Sequence, residues 1–222
     1  MLVQIYGITT AEDAALVNEL RPDHAGVVLD EGIETWDSVD ELTARSIAAV
    51  LPDVKVVVLS LSLDTGRVFR TVAALRPQIV HLARAAEGMT PTQITRLRQC
   101  LAPVELMLTV PVSGPESIEL ARRLEGCCDY LLLDTVDPRS GVVGATGLVH
   151  DWSLSCLIVE AVNVPVILGG GLGPENVAEA IRQVVPAGVD SETLTSKADD
   201  RRRKDPERVR RFIETARGVS SS

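Results

Sequence analysis

The chain has 222 residues, of which 45% are hydrophobic but only 3% aromatic, and its formal net charge is −9. This length allows one α/β barrel or one to two ordinary domains, and the aliphatic composition suits a buried parallel sheet. The acidic charge disfavours nucleic acid and membrane surfaces as partners, and no apolar run approaches the roughly 18–20 residues of a membrane span. The four cysteines lack metal-ligand spacing, which predicts a reduced, cytoplasmic setting.

Short apolar runs alternate with helical patterns from end to end. Strands are predicted at 2–6, 25–29, 54–60, 79–82, 104–110, 130–134, 166–169 and 188–190. Helices are predicted at 11–20, 39–51, 65–75, 91–101, 115–124, 153–161, 174–184 and 206–215. A strand and a helix repeating about every 28 residues is typical of a closed (β/α)8 barrel, the TIM barrel. We therefore predict a single α/β domain over 1–218 with a frayed tail at 219–222; a doubly wound open sheet is the competing architecture.

The most informative motif lies at 165–177, where an apolar run breaks into Gly169, Gly170 and Gly171 before a helix begins. Glycines between a strand end and a helix N-terminus let backbone N–H groups approach a bound anion without an intervening Cβ. The pattern therefore predicts a phosphate site, with a plain tight turn as the alternative explanation. Pro174 and Glu175 are predicted to lie in the first helical turn, where the acid interacts favourably with the helix dipole.

In a (β/α)8 barrel the chemistry belongs to the loops that follow the strands. The polar side chains at these predicted positions are Tyr6, Asp30, Glu31, His81, Arg84, Asp134 and Glu192. Asp134 suits a general acid, because partial desolvation at a strand end raises the pKa of a carboxyl toward neutrality; a helix-capping role is the alternative. A metal site built from several of these side chains lacks diagnostic spacing, so we predict neither a metal nor a cofactor.

Several motifs occur in order over nearly the whole chain. They are Ile5-x-Gly7-Ile8-Thr9, Leu131-Leu-Leu-Asp134 with Gly144-Ala-Thr-Gly147, Gly170-Gly-Leu-x-Pro-Glu-Asn-Val177 and Lys204-Asp205. Together they resemble the phosphoribosylanthranilate isomerase family, small barrel enzymes of tryptophan biosynthesis. The resemblance implies an Amadori rearrangement, in which a phosphorylated aminoaldose opens to an imine and becomes an aminoketose as a proton leaves C2. The expected partner is therefore a phosphorylated sugar, and we expect a monomer or homodimer.

The resemblance also implies roles for individual residues. It assigns the general acid to Asp134 and the phosphate contacts to the backbone around Gly147, Gly170 and Gly171. The remaining expected phosphate-site residues are Gly144, Thr146, Thr193 and Arg84.

The chain departs from the family pattern at the general base, because Tyr6 stands where the family has a cysteine. Ionising a phenol at neutral pH costs roughly 4 kcal/mol, and the neighbouring Asp30 and Glu31 increase that cost. Tyr6 is therefore expected to hydrogen bond or fill space. Glu192 and His81 are the candidate bases, with a surface acid and a core histidine as the respective alternatives.

The loop after the second predicted strand is acidic and lacks the arginine that holds the anthranilate carboxylate in the family. We therefore expect slow turnover of phosphoribosylanthranilate and a preference for another phosphorylated sugar derivative. Two alternatives remain open: the family's own reaction with a substituted base, and a non-catalytic sugar-phosphate-binding barrel that has lost its base.

Overall fold

The computed structural model describes residues 1–33, 35–136, 143–144 and 147–219. Its strands are β1 (Leu2–Ile5), β2 (His24–Leu29), β3 (Ser38–Val39), β4 (Lys55–Ser60), β5 (Ile79–Leu82), β6 (Glu105–Val112), β7 (Tyr130–Thr135), β8 (Val166–Leu168) and β9 (Gly188–Ser191). Its α-helices are α1 (Ala11–Leu20), α2 (Glu41–Ala49), α3 (Thr65–Leu75), α4 (Ala85–Gly88), α5 (Pro91–Leu101), α6 (Glu116–Leu124), α7 (Trp152–Ala161), α8 (Val177–Val184) and α9 (Pro206–Gly218). None of these helices has the length and apolar character needed to cross a bilayer.

All strands except β3 form a closed parallel barrel with helices outside it. Pairing runs from β1 through β2, β4, β5, β6, β7 and β8 to β9, and β9 pairs back to β1 with Gln4 opposite Asp190. The predicted (β/α)8 barrel is therefore confirmed, and the open sheet is excluded. β3 adds to β2 outside the ring, with Ser38 opposite Val28. The domain boundary at 218 stays a prediction, because residues 220–222 of the expected tail lie outside the described residues.

Two predicted helix starts are wrong by two residues or more. The second helix was expected from Val39, but Val39 pairs in β3 and Asp40 caps α2 by accepting a hydrogen bond from Thr43 N. This cap satisfies one of the free N–H groups of the first turn, so the helix begins at Glu41.

The helix expected from Pro174 begins instead at Val177, because Asn176 holds the preceding segment as a loop. Its side chain accepts from Gly173 N at 2.8 Å and donates to the Gly171 carbonyl at 2.9 Å. Glu175 therefore lies before the helix, where it forms a 2.8 Å ion pair with Arg208 rather than interacting with the first turn.

The barrel interior contains a small apolar cluster separate from the main core between strands and helices. The cluster consists of Tyr6, Val28, Val57, Ile79, Met107, Leu132 and Ile167. The aromatic ring of Tyr6 packs directly on β2, where a Cβ at Gly26 would lie 2.6 Å from Cγ of Tyr6. Glycine at position 26 therefore makes the space that the phenol ring occupies.

We predict that Gly26→Ala destabilises the protein by about 1–3 kcal/mol, because the added methyl group overlaps the Tyr6 ring in a packed interior. Urea unfolding gives the free energy of unfolding. Gly126→Ala is the matched control, since a Cβ there meets no heavy atom within 4 Å. Equal stability of the two variants would contradict this packing arrangement.

Candidate active site

Asp134 lies near the end of β7, at the carboxyl end of the barrel. Its carboxyl is partly buried, and Oδ1 accepts a hydrogen bond from Thr135 N at 2.8 Å. Removal from water raises the pKa of Asp134 to about 6, which the Thr135 bond partly opposes. A Cβ at Gly144 would lie 2.5 Å from Oδ2 of Asp134, so the loop after β7 passes directly over this carboxyl. The side chain can therefore hold a proton near neutral pH in a covered position.

Two further acidic side chains reach the same region from β9. Asp190 is buried, and within the described residues its Oδ1 has no hydrogen-bond partner. Burial, and then the charge of Asp134, raises the pKa of Asp190 to about 8. Glu192 follows β9, and its Oε1 lies 2.5 Å from the position of a Cβ on Gly7. The Glu192 carboxyl therefore leans over the end of β1, immediately beside Tyr6.

Burial, followed by the carboxyl of Asp37, raises the pKa of Glu192 well above its usual range. Asp37 is buried beside it and forms a hydrogen bond with its side chain. The charge of Lys204 opposes this rise, and its Nζ donates to the Glu192 carbonyl at 2.9 Å and to Ser196 Oγ at 3.1 Å. Burial lowers the pKa of Lys204 to about 8, which Glu192 and Asp190 oppose.

Sequence reasoning missed Asp37, Asp190 and Lys204 as members of this site. Asp190 was visible as the last residue of the predicted strand 188–190, and Lys204 as part of the Lys204-Asp205 motif. Asp37 carried no signal, because its neighbours in the sequence form an irregular acidic loop and its contact with Glu192 joins distant parts of the chain.

A small cavity connects these carboxyls to the glycine loops, and its volume of about 20 Å³ is about that of one water molecule. Its lining residues are Asp134, Gly147, Gly170, Gly171, Leu172, Asp190, Ser191, Glu192, Thr193 and Leu194. Gly170 and Gly171 have φ of +76° and +62°, a conformation that favours glycine. A Cβ at Gly171 would lie 2.6 Å from the Leu148 carbonyl carbon, so the loops after β7 and β8 are in contact here.

Four of the predicted phosphate-site residues, Gly147, Gly170, Gly171 and Thr193, thus meet at one cavity. Gly144 contacts the Asp134 carboxyl without appearing in the cavity lining, and Thr146 lies outside the described residues.

Arg84 does not contribute to this cavity lining. Its Nε pairs with Glu87 Oε2 at 2.8 Å on the short helix α4, and its side chain is 43% exposed. The pair is close in sequence and exposed, so this contact is local, and a phosphate contact of Arg84 stays a prediction.

His81 and Tyr6 lie deeper in the barrel and bind each other. The phenol oxygen of Tyr6 is 2.8 Å from Nδ1 of His81, whose Nε2 is 2.7 Å from Thr109 Oγ1. Burial lowers the pKa of His81 to about 3, and it raises the pKa of Tyr6 well above its usual range, with Asp190 adding to the effect. Both side chains are therefore neutral at physiological pH, and both ring nitrogens of His81 are already occupied.

The acidic loop after β2 is bordered by more positive charge than its sequence indicates. Glu31 Oε2 accepts hydrogen bonds from Ser60 Oγ at 2.6 Å and Ser62 N at 3.0 Å, so this carboxyl turns toward β4. Arg67 donates to the Glu31 carbonyl at 2.9 Å. The Arg201 guanidinium carbon lies 4.6 Å from the centre of the Trp36 ring.

Among the described residues, no group of three or more His, Cys, Asp or Glu side chains is arranged to hold a metal ion. The arrangement instead offers partly protonated carboxyls beside a surface of backbone amides. These groups can move protons at a bound molecule and bind an anionic group next to them.

Comparison with known proteins gives consistent matches over the whole chain. A family model described as N-(5'-phosphoribosyl)anthranilate (PRA) isomerase matches residues 3–215. The N-(5'-phosphoribosyl)anthranilate isomerase of Methanocella arvoryzae is 37% identical over 217 residues, which are 97% of each chain. The phosphoribosyl anthranilate isomerase structure from Thermotoga maritima has a TM-score of 0.81 at 29% identity, covering 99% of this chain and 100% of that one. A structure of such an isomerase in complex with reduced 1-(o-carboxyphenylamino)-1-deoxyribulose 5-phosphate has a TM-score of 0.79 at 27% identity, with the same coverage.

The raised pKa of Asp190 predicts a pH-dependent effect of Asp190→Asn. The unfolded chain releases this proton near pH 4, but the folded chain holds it up to about pH 8. The free energy of unfolding therefore falls as pH rises through this window, by at most about 1.4 kcal/mol for each pH unit between the two pKa values. We expect Asp190→Asn to gain stability relative to the wild type as pH rises from 5 to 8.

Urea unfolding at pH 5, 6.5 and 8 measures this difference between variant and wild type. Asp199→Asn is the control, because Asp199 is exposed in the loop before α9 and its substitution is expected to give no pH trend. The assignment of a buried, protonated Asp190 is contradicted if the free energies of unfolding of Asp190→Asn and the wild type differ by the same amount at all three pH values.

Proposed function

Because the chain belongs to the N-(5'-phosphoribosyl)anthranilate isomerase family, we propose that it catalyses the Amadori-type isomerisation of a phosphorylated aminoribose. N-(5'-phosphoribosyl)anthranilate is the first candidate substrate, since the matched relatives carry that name. The observation that carries the proposal is the convergence of Asp134 and Glu192 on one cavity with the glycines of two loops. The family membership inferred from the sequence motifs is confirmed.

In the first step Asp134 is the general acid. Its carboxyl gives a proton to the ring oxygen of the sugar as the bond from C1 to that oxygen breaks. The nitrogen lone pair then forms the C1=N bond of the imine. The pKa of about 6 supports this role, because a useful fraction of Asp134 stays protonated close to neutral pH.

In the second step Glu192 is the general base. Its carboxylate accepts the proton from C2, and the electrons of the broken C–H bond form a C1=C2 bond as the imine becomes an enolamine. The enolamine becomes the ketose when its C2 hydroxyl loses a proton and C1 gains one. The position of the Glu192 carboxyl over Gly7 supports this assignment, because the neighbouring Tyr6 occupies the position of the family's cysteine base.

The loops after β7 and β8 are proposed to bind the phosphate through backbone amides of Gly147, Gly170 and Gly171, with Thr193 beside them. Glycines leave these amides uncovered by a Cβ. The raised pKa of Asp190 supports the same site, because a carboxyl that is protonated below about pH 8 does not repel the anion at neutral pH.

The loop after β2 is expected to select which group the sugar nitrogen carries. Arg67 and Arg201 lie against this loop and offset the charges of Asp30 and Glu31, so an anthranilate carboxylate is less disfavoured than the sequence suggested. Slow turnover, well below the ~10 s⁻¹ of a median enzyme, stays our expectation because the thiol base is replaced. The monomer or homodimer and the cytoplasmic location also stay predictions.

A sugar-phosphate-binding barrel without turnover is the second candidate. The observation that favours it is the raised pKa of Glu192, since burial and the carboxyl of Asp37 oppose the ionised form that a general base needs. The two candidates differ in whether product forms.

We predict that Asp134→Asn lowers product formation about 10²–10⁴-fold, because the proton for the leaving ring oxygen is lost. The melting temperature is expected to stay equal or rise, since a carboxyl that resists ionisation in the folded state is removed. Ketose formation is measured by chromatography and stability by calorimetry, with and without the substrate. A wild type that is stabilised by the substrate but forms no product would establish the non-catalytic candidate.

The assignment of the base is tested by comparing Glu192→Gln with Tyr6→Phe. Glu192→Gln is expected to lower kcat about 10²–10⁴-fold, whereas Tyr6→Phe stays within about threefold because its phenol takes no proton. Tyr6→Phe is expected to lose about 0.5–1.5 kcal/mol of unfolding free energy with the hydrogen bond to His81. The reverse pattern of kcat values would reassign the base to Tyr6.

A further inference from the structure

Lys204 is the one lysine or arginine that is fully buried among the described residues, with 1% of its surface exposed. It lies in the segment before α9, held by a hydrogen bond from its backbone N–H to Asp13 Oδ2 at 3.2 Å and by pairing with Ser196. Its Nζ donates to the Glu192 carbonyl and to Ser196 Oγ. The ammonium group therefore contacts the main chain of Glu192, the residue proposed as the general base.

Carboxyl groups face this ammonium from each of the surrounding elements. They are Asp13 on α1, Asp37 in the loop before β3, Asp190 on β9 and Glu192 after β9. Two arginines also lie near this group. Arg203 pairs through Nε with Asp13 at 3.0 Å, and its side chain is 31% exposed. Arg202 donates to the carbonyls of Trp36 and Ser38, on either side of Asp37. A buried cation surrounded by several carboxyls is stabilised by them, and in return it stabilises their ionised forms.

We propose that Lys204 is a positioning residue for the isomerisation: its ammonium group holds the Glu192 main chain in place and supplies the buried positive charge that balances the Glu192 carboxylate. This inference rests on the proposed function, in which Glu192 removes the proton from C2. The donor contacts of Nζ are to a carbonyl and a hydroxyl, so its charge acts on the Glu192 carboxylate through space rather than through a direct ion pair.

Lys204 is proposed to hold the Glu192 main chain and to supply a positive charge, and the loss of each has a different effect on the dependence of kcat/KM on pH. The working form carries a proton on Asp134 and none on Glu192. We take the limb at lower pH to belong to Asp134 and the limb at higher pH to Glu192, whose pKa is raised by burial and by the carboxyl of Asp37. The working form then has its highest population on the plateau between the two limbs. Removing the positive charge raises the Glu192 pKa, so the plateau falls and its upper limb moves to higher pH by the same factor.

Lys204→Met and Lys204→Gln test the charge. The Gln variant retains an N–H donor for the Glu192 carbonyl, so it reports on charge even where the Met variant fails to fold. We expect a plateau of kcat/KM lower by about tenfold or more, with the upper limb shifted by about one pH unit or more. Lys197→Met is the control, because it removes a charge from the same loop at a partly exposed position.

A lower plateau with an unmoved upper limb would overturn the electrostatic role, and a wild-type profile for Lys204→Gln would overturn it too. An independent readout is a carbon-13 NMR titration of the glutamate carboxyls, with the Glu192 signal assigned by its loss in Glu192→Gln. We expect Lys204→Gln to titrate Glu192 at higher pH than the wild type does. If Glu192 titrates at the same pH in Lys204→Gln and in the wild type, the inference is overturned, whether or not the wild type forms product. If Lys204→Gln shifts the Glu192 titration but the wild type forms no product, only the proposed function is contradicted.

Discussion

The pairing of β9 with β1 closes the barrel, and the arrangement of the site depends on that closure. The register that sets Gln4 opposite Asp190 brings the end of the last strand beside the end of the first. Glu192 consequently reaches over Gly7, and the loops after β7, β8 and β9 meet at one cavity. Parallel strands all present their carboxyl ends to one side, so a closed ring concentrates these loop residues in a small volume.

This concentration has an electrostatic consequence. Asp134, Asp190 and Glu192 are withdrawn from water together, and desolvation is the largest cause of the raised pKa of each of them. Lys204 is the buried cation among them. Burial disfavours the ionised form of each carboxyl and so limits the negative charge of the site, which suits both proton transfer and the binding of an anion.

The interior below the site explains how the ring of Tyr6 fits at the end of β1. Gly26 leaves room for the ring, and the phenol oxygen is hydrogen-bonded to His81, which in turn contacts Thr109. The phenol therefore extends the packed interior of the barrel rather than its mouth. The Glu192 carboxyl, which leans over Gly7 beside this tyrosine, comes from the segment after β9, distant in sequence and adjacent in space.

The order of strands and helices, the barrel, the glycine loop and the family can all be predicted from the amino-acid sequence, because periodicity and short motifs are properties of local sequence. The sequence predicts Gly147, Gly170 and Thr193 at one phosphate site, and the structure brings these three residues to one cavity. The contact between Asp37 and Glu192, and the burial of Lys204 against the Glu192 main chain, become visible only in the folded chain. Such contacts join segments far apart in the chain, and their burial sets the pKa values, which no local pattern encodes.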